Sequence, residues 1–223
     1  MEAAPNLIRI RAGAVELEGE LALPNACRGL VLFAHGSGSS RHSPRNRFVA
    51  RSLEDGHLAT VLMDLLTPAE EQIDSRTGEL RFNIDFLAKR VMAAVDWARK
   101  RPEIRALNIG LFGASTGAAA ALVAAAQRPG EVGAVVSRGG RPDLAGAALP
   151  RVRAATLLIV GGRDLPVLEL NREALQQLRA EKQLEIVPEA THLFEEPGAL
   201  AEVSRLAREW FQKRLGRHKA GAA

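Results

Sequence analysis

A serine at position 115 has neighbours that could make it a nucleophile. Residues 113–117 read Gly-Ala-Ser-Thr-Gly, after the apolar run 107–112 and before the alanine-rich stretch 118–126. A strand that reverses into a helix within a few residues crowds the backbone around the turn, and glycines permit this close approach because they lack Cβ. The pattern predicts a strand, a tight turn and a helix that expose Ser115, although ordinary tight turns also combine glycine and serine.

A serine hydroxyl is a weak nucleophile at neutral pH, so this chemistry also requires a base and an acid. Asp164 follows the apolar run 155–160, and His192 follows the strand-like segment 184–187. We expect both segments to be strands, with Asp164 and His192 on the loops at their carboxyl ends. His192 would take the proton of Ser115, while Asp164 fixes the tautomer of the imidazole and stabilises its charged form. The order serine, aspartate, histidine is that of one known class of catalytic triad.

Each of these assignments competes with an alternative. Asp164 stands where it could cap a helix over 165–180, and one residue can serve both purposes. Asp143, on the loop after the preceding predicted strand, is the rival acid. The other four histidines fit the role of base less well, because three precede the serine and the fourth lies in a basic tail; they are His35, His42, His57 and His218.

A second glycine-rich segment follows the apolar run 29–34 and reads His-Gly-Ser-Gly-Ser-Ser over residues 35–40. A strand that leads into such a loop can present a backbone N–H to the oxyanion that forms when a carbonyl is attacked. The residue after the nucleophile supplies the other N–H. We therefore predict Ser37 and Thr116 as oxyanion donors, with Gly38 as a further donor or substrate contact.

The same segment has some features of a dinucleotide-binding loop, because Gly36 and Gly38 follow a strand. That pattern needs a third glycine where the next helix packs closely on the strand. Position 41 is an arginine. The nucleotide-binding alternative is therefore disfavoured.

Two arginines follow predicted strands on either side of the serine strand. Arg41 comes after the loop 35–40, and Arg138 comes after the apolar segment around Val132. Ligands bind at the carboxyl ends of strands in open α/β sheets, and guanidinium groups match carboxylate or phosphate. We expect Arg41 and Arg138 to contact a negatively charged substrate; in the alternative, they cover surface or pair with nearby acids, namely Glu70, Glu71 and Glu195.

Taken together, residues 35–38, the turn around Ser115, Asp164 and His192 resemble the dienelactone-hydrolase-like branch of the α/β-hydrolase family over nearly the whole chain. The resemblance implies hydrolysis of a small-molecule carboxylic ester, thioester or lactone through an acyl-enzyme, without a cofactor or a metal. Archetypal members carry cysteine at the nucleophile position. Ser115 therefore marks a serine variant and points away from dienelactone itself, towards a carboxylesterase.

The elements that must position these residues follow from hydrophobic patterning. With 223 residues and 47% hydrophobic composition, the chain can bury one sizeable core. Apolar runs alternate with helical patterns, which predicts a single α/β domain over 1–215 with a mostly parallel central sheet and helices on both faces. An amino-terminal hairpin over 6–23 and an amphipathic helix over 199–215 complete it, and 216–223 is expected to be a flexible tail.

Two connections are expected to shape the site. The polar stretch 64–82 is longer than a usual strand-to-helix link, which makes it a candidate rim or lid. Between 138 and 154 there is room only for a loop and about one helical turn. We therefore expect no large cap domain and an open pocket.

Composition limits the other classes of function. A net charge of +4 and a sequence pI near 9.8 suggest nucleic-acid binding as one function to consider. The arginines are spread along the chain, however, and aromatic residues are only 4%, so no nucleic-acid partner is expected. Cys27 is the only cysteine, which excludes an intramolecular disulfide and a cysteine-based metal cluster. No leader pattern or bilayer-length apolar run is present, so we expect a cytoplasmic protein without a membrane partner.

Two other functions remain open at this point. The same residues could transfer the acyl group to an alcohol or amine instead of water, which would make the protein an acyltransferase. Alternatively, the chain could be a non-catalytic protein that binds small molecules on the same fold. A complete set of serine, histidine and aspartate argues against the second alternative. The oligomeric state is not predicted.

Overall fold

An eight-stranded sheet runs through the computed structural model, which describes residues 6–216. The strands are β1 (Asn6–Ala12), β2 (Val15–Ala22), β3 (Leu30–Ala34), β4 (Ala59–Met63), β5 (Ile109–Ala114), β6 (Val132–Arg138), β7 (Ala155–Gly161) and β8 (Lys182–Val187). Their order across the sheet is β1-β2-β4-β3-β5-β6-β7-β8. β2 pairs antiparallel with both β1 and β4, and all other pairs are parallel. The predicted fold class, a single α/β domain with a mostly parallel sheet, is confirmed.

Helices cover both faces of this sheet. They are α1 (Pro44–Asp55), α2 (Pro68–Thr77), α3 (Ile84–Lys100), α4 (Thr116–Gln127), α5 (Leu165–Gln177) and α6 (Ala199–Leu215). One buried cluster joins the sheet to α3 and α4, and a second joins it to α1 and α6. Alternate residues of a strand point to opposite faces, so Leu30 and Leu32 enter the first cluster while Val31 and Phe33 enter the second. Burial on both faces explains why the interior parallel strands, β3 to β7, are nearly continuous apolar runs, whereas the edge strand β8 is largely exposed and mixed in composition.

The two ends of the described chain also match the sequence pattern. The predicted hairpin over 6–23 forms β1 and β2 at one edge of the sheet. The predicted helix over 199–215 is α6. Gly216 follows it, and the rest of the predicted tail, 217–223, lies outside the described residues, so the domain boundary at 215 stays a prediction. Within residues 6–216, no helix is long and apolar enough to cross a membrane.

The segment 64–82 contains a helix, α2, where the sequence analysis described only a long polar connection. Thr67 accepts a hydrogen bond from the Glu70 N–H at 3.2 Å, and the Glu70 carboxylate accepts one from the Thr67 N–H at 2.8 Å. This reciprocal capping arrangement begins the helix. Gly78 ends it with a φ of 69°, a conformation that favours glycine.

A buried carboxylate fastens the chain that follows α2. Asp74 accepts hydrogen bonds from the N–H groups of Leu80 (2.7 Å) and Arg81 (3.0 Å) and from Nε of Arg81 (2.6 Å). Burial alone would raise the pKa of the Asp74 carboxyl, but these hydrogen bonds outweigh it and lower that pKa. These hydrogen bonds join α2 to the residues that follow it, within the segment between β4 and α3.

Between β6 and β7 the chain forms a short 3₁₀ segment, Pro142–Arg151. Its two parts meet at a kink at Gly146, where φ is 47°. This is more helical structure than the single turn expected from the sequence, but among the described residues it is too short to be a cap domain.

Candidate active site

Ser115 occupies the junction between β5 and α4 in a conformation that is rare for a residue with a side chain. Its φ and ψ angles are 50° and −123°, and its side chain is partly exposed. A Cβ at Gly113 would overlap the Cα of Ala118, and one at Gly117 would overlap the carbonyl oxygen of Ala34. Strained backbone of this kind persists only where the surroundings impose it. The two glycines of the motif are thus required by the packing that sets the Ser115 conformation.

The turn at Ser115 is tied to the end of β6. The N–H of Ser115 donates to the carbonyl oxygen of Arg138 at 3.3 Å, and the N–H of Arg141 donates to the carbonyl oxygen of Ser115 at 3.1 Å. The neighbouring loop after β3 also approaches closely, because a Cβ at Gly36 would lie 3.0 Å from Cβ of Ser115. The serine therefore lies between two loops at the carboxyl edge of the sheet.

Asp164 and His192 meet across the loops after β7 and β8. Nδ1 of His192 donates to Oδ2 of Asp164 at 2.7 Å. Asp164 occupies the capping position of α5, but its side chain makes no capping hydrogen bond. The carboxylate thus binds the imidazole, and Nε2 is the ring nitrogen left for other chemistry.

The rival acid, Asp143, already has a partner. Nε and Nη2 of Arg141 donate to its two carboxylate oxygens at 2.9 and 2.7 Å. Such a fork uses both oxygens of the carboxylate. The structure brings Asp164, rather than Asp143, to His192.

His192 lies beside the loop that holds Ser115. A Cβ at Gly139 would lie 3.0 Å from the carbonyl oxygen of His192 and 3.6 Å from its Cε1 atom. Gly139 directly follows Arg138, whose carbonyl oxygen accepts the Ser115 N–H. Among the described residues, no hydrogen bond joins the hydroxyl of Ser115 to His192; such bonds often tighten only when substrate is bound.

The predicted oxyanion donors are also adjacent. The hydroxyl oxygens of Ser37 and Thr116 are 3.0 Å apart, and the Ser37 hydroxyl donates to the carbonyl oxygen of Arg81 at 3.4 Å. Thr116 begins α4, where the first N–H groups of a helix have no partner within the helix. Within residues 6–216, neither the Ser37 N–H nor the Thr116 N–H has a backbone acceptor outside the helices and strands. Gly38, with φ of 65°, follows in the same loop.

His35 has a structural role in this loop. Its Nε2 accepts a hydrogen bond from the N–H of Leu65 at 3.0 Å, and its Nδ1 lies 2.9 Å from the carbonyl oxygen of Gly36. Burial lowers the pKa of His35, although the bond to Gly36 and the nearby carboxylates act in the opposite direction. A neutral imidazole that accepts from a backbone N–H joins the loops after β3 and β4.

An open cleft of about 300 Å³ adjoins this loop. The amino-terminal end of α2 forms one wall of the cleft, through Pro68 and Glu71, opposite Gly38. The lining of this cleft does not include Ser115, so a role of the segment 64–82 as a rim or lid stays a prediction. A larger hollow of about 630 Å³ lies at the far end of α4 and contains none of the predicted site residues.

Comparison with known proteins places the chain in a family. A sequence model described as the dienelactone hydrolase family matches residues 44–215. The chain belongs to the dienelactone hydrolase family. The crystal structure of a dienelactone hydrolase from Anabaena variabilis is 58% identical, with a TM-score of 0.93, and the match covers 96% of this chain and all of that one.

Other relatives are similar over different extents. Proteins named "Putative phosphoribosyl transferase" from two strains of Mycobacterium tuberculosis are 54% identical over 204 residues, which is 92% of this chain and 45% of theirs. The chain thus spans less than half the length of these curated relatives. Est1E from Butyrivibrio proteoclasticus is 16% identical, with a TM-score of 0.79 over 96% of this chain and all of that one, and shares the fold.

In this member of the dienelactone hydrolase family, the two arginines predicted to bind substrate differ in whether a carboxylate of the protein pairs with them. Arg41 pairs with Asp64 and, at 2.6 Å, with Oε2 of Glu18, and its N–H donates to Oδ1 of Asp64 at 2.7 Å. Burial alone would lower the pKa of Arg41, but the two carboxylates outweigh it and raise that pKa. Arg41 therefore fastens the loop after β3, which favours the pairing alternative, although its partners are not the three glutamates named from the sequence.

Arg138 has no such partners. It is 8% exposed, and its Nε and Nη1 atoms are buried without a hydrogen bond in the part of the chain that the structure describes. Burial lowers the pKa of Arg138 to about 10, and the positive charge of Arg45 acts in the same direction. The guanidinium is still charged at neutral pH.

Sequence analysis overlooked Asn171. This buried residue on α5 donates from Nδ2 to the carbonyl oxygens of Gly140 (3.0 Å) and Val167 (2.7 Å). It fastens the loop beside Ser115 to α5, the helix that follows Asp164. The available signal was an asparagine in line with Leu168 and Ala174 on the buried face of that helix.

Within residues 6–216, no group of three or more His, Cys, Asp or Glu side chains is placed to hold a metal ion.

Proposed function

We propose that this protein is a serine hydrolase that cleaves a carboxylic ester, thioester or lactone through Ser115, His192 and Asp164. The observation that carries the proposal is the 2.7 Å hydrogen bond between His192 and Asp164, at the sheet edge where Ser115 stands on a strained turn. Family membership supports a hydrolase, and this arrangement supports acyl chemistry in particular.

In the proposed reaction, Oγ of Ser115 attacks the carbonyl carbon while Nε2 of His192 takes the hydroxyl proton. The carbonyl oxygen becomes an oxyanion, which the N–H groups of Ser37 and Thr116 stabilise. The carbon–oxygen or carbon–sulfur bond to the leaving group then breaks, and His192 gives the proton to that group. Water attacks the acyl-enzyme by the same route, which releases the acid and restores Ser115.

Asp164 supports both proton transfers. Its hydrogen bond keeps the proton of the neutral imidazole on Nδ1, so that Nε2 faces the serine as an acceptor. When His192 becomes an imidazolium, the carboxylate stabilises the positive charge. Asp164 itself keeps its negative charge throughout.

The test uses a fluorophosphonate, which labels activated serines, and a panel of p-nitrophenyl esters. Mass spectrometry should place the adduct on the peptide that contains Ser115, and Ser115→Ala should lose esterase activity. Ser75→Ala, which changes an exposed serine on α2, is the matched control and should behave as wild type. An adduct on another residue, or full activity of Ser115→Ala, would overturn the proposal.

The name of the Mycobacterium tuberculosis relatives concerns proteins more than twice as long as the matched region. For this chain we propose acyl transfer rather than phosphoribosyl transfer, because a nucleophile, a base and oxyanion donors suit attack on a carbonyl. Product analysis in the presence of an added alcohol would distinguish a hydrolase, which forms the free acid, from an acyltransferase, which forms a new ester.

A further inference from the structure

The side chain of Arg138 lies on the α1 and α6 side of the sheet. Ala134 and Val136, the preceding alternate residues of β6, pack in the cluster that contains α1 and α6. Side chains two apart on a strand share a face, so Arg138 continues this row at the carboxyl edge of the sheet. The repulsion between Arg138 and Arg45, which is on α1, agrees with this placement.

The described residues around Arg138 supply no counter-charge. Arg45 repels it, and the carboxylate near Arg45 is that of Glu195, which accepts from Nη1 of Arg45 at 3.2 Å. Glu196 has its Oε1 atom engaged by the N–H and hydroxyl of Thr191, and its buried Oε2 atom has no hydrogen bond to Arg138 or to any other described group. An ionised group withdrawn from water is costly unless an anion or an acceptor faces it. The fold therefore holds a buried cation whose Nε and Nη1 atoms have no acceptor among the described residues.

The backbone of Arg138 is next to the proposed reaction centre. The carbonyl oxygen of Arg138 accepts the N–H of Ser115, and the following residue, Gly139, lies against His192. The guanidinium thus extends from the same point of the sheet edge that positions the nucleophile and the base.

We propose that Arg138 binds a negatively charged group of the substrate, a carboxylate or a phosphate, on the α1 side of Ser115. The inference rests on the proposed function and names the class of substrate. Of the two arginines expected to read such a charge, Arg41 is already neutralised by Asp64 and Glu18, whereas Arg138 is not. Binding the anion there holds the ester carbonyl in place for attack, so the effect is on kcat/KM.

The kinetic test compares esters that differ in charge: mono-p-nitrophenyl succinate, its neutral methyl ester, and p-nitrophenyl 3-phosphonopropanoate in place of a phosphate. Arg138→Met should lower kcat/KM for the two charged esters by at least about tenfold more than for the neutral ester, because a charge-assisted hydrogen bond is lost. Comparison of the two charged esters in wild type shows whether carboxylate or phosphate is preferred. Equal losses on charged and neutral esters, or none, overturn the proposal.

The matched control is Arg153→Gln. Arg153 is an exposed arginine that precedes β7, at the opposite edge of the sheet from the site. The Arg153→Gln substitution removes the same net charge from the protein as Arg138→Met does, and it leaves the residues of the site unchanged. Selective damage to the charged esters in this variant as well would mean that long-range charge, not Arg138, sets the preference, and would overturn the proposal.

A binding test separates this inference from the proposed function. In Ser115→Ala, which has no nucleophile, sodium succinate or inorganic phosphate at constant ionic strength should raise Tm through Arg138, and should not do so in the double variant with Arg138→Met. Without added anion, Arg138→Met should match or exceed the Tm of wild type, since it removes a buried charge without a partner. A clear fall in Tm, or no anion effect, means that water or protein groups satisfy Arg138 and overturns the inference. Retained esterase activity in Ser115→Ala would instead overturn the proposed function.

Discussion

His192 and Asp164 are joined by a 2.7 Å hydrogen bond, even though Asp164 also stands at the capping position of α5. A capping aspartate normally accepts from the N–H groups of the first helical turn. Here the side chain makes no such bond and faces the imidazole. The start of α5 thereby gives up a stabilising contact, which is the pattern expected when a residue is held for chemistry.

We expect Asp164→Asn to lower kcat by about three to four decades, because an amide in place of the carboxylate favours the wrong tautomer of His192. Steady-state rates on a p-nitrophenyl ester measure this. The control is Asp143→Asn, which disturbs the fork with Arg141 and should leave kcat within about one decade. The opposite order of effects would show that Asp143 is the acid.

Gly117→Ala should destabilise the protein by at least about 2 kcal/mol, because the new Cβ would overlap the carbonyl oxygens of Ala34 and His35, which belong to the backbone and cannot move aside cheaply. Urea unfolding followed by circular dichroism gives the free energy of unfolding. Gly130→Ala is the matched control, since a Cβ there meets no atom within 4 Å, and it should change stability by less than about 0.5 kcal/mol. Wild-type stability in Gly117→Ala would contradict the crowding inferred around Ser115.

His35 should make stability depend on pH. Its pKa in the folded protein is lowered from the ordinary 6.5, first of all by burial, so below pH 6.5 the unfolded chain binds a proton that the folded chain resists. The free energy of unfolding therefore falls as the pH drops from 6.5 towards the folded pKa. His35→Gln keeps an acceptor for the Leu65 N–H without titrating in this range, so its stability should fall less between pH 7 and pH 5. The same slope in both proteins would exclude His35 as the cause.

Much of the fold could be predicted from the sequence because the interior parallel strands are buried on both faces. Every residue of β5 and β7 is buried, and such strands are continuous apolar runs whose order along the chain is plain. The turn at Ser115 and the loops with Asp164 and His192 then follow, because carboxyl ends of parallel strands share one edge.

Helix α2 was not predicted from hydrophobic patterning, and the reason is physical. Asp74 is its only buried residue, so it has no apolar stripe to produce a helical period. Its ends carry the information instead: Thr67, Pro68 and Glu70 begin it, and Gly78 ends it.

Which of the two arginines is paired with carboxylates could not be predicted from the sequence. Arg41 and Arg138 have similar positions after strands, yet one is neutralised and the other is not. The difference depends on which strands are neighbours, since β4 lies beside β3 and brings Asp64 to Arg41. Neighbour relations of this kind come from the order of strands in the sheet and are not visible in residue spacing.

The order of strands also has a consequence for how activity is gained and lost. His192 follows β8, an edge strand whose only partner among the described strands is β7, whereas Ser115 follows a strand in the middle of the sheet. Edge elements with few neighbours open more readily than the core, through local unfolding that leaves the rest of the domain intact. Detachment of β8 would separate the base from the nucleophile while most secondary structure persists. In mild denaturant, esterase activity should therefore disappear before the circular dichroism signal, and on refolding it should return last.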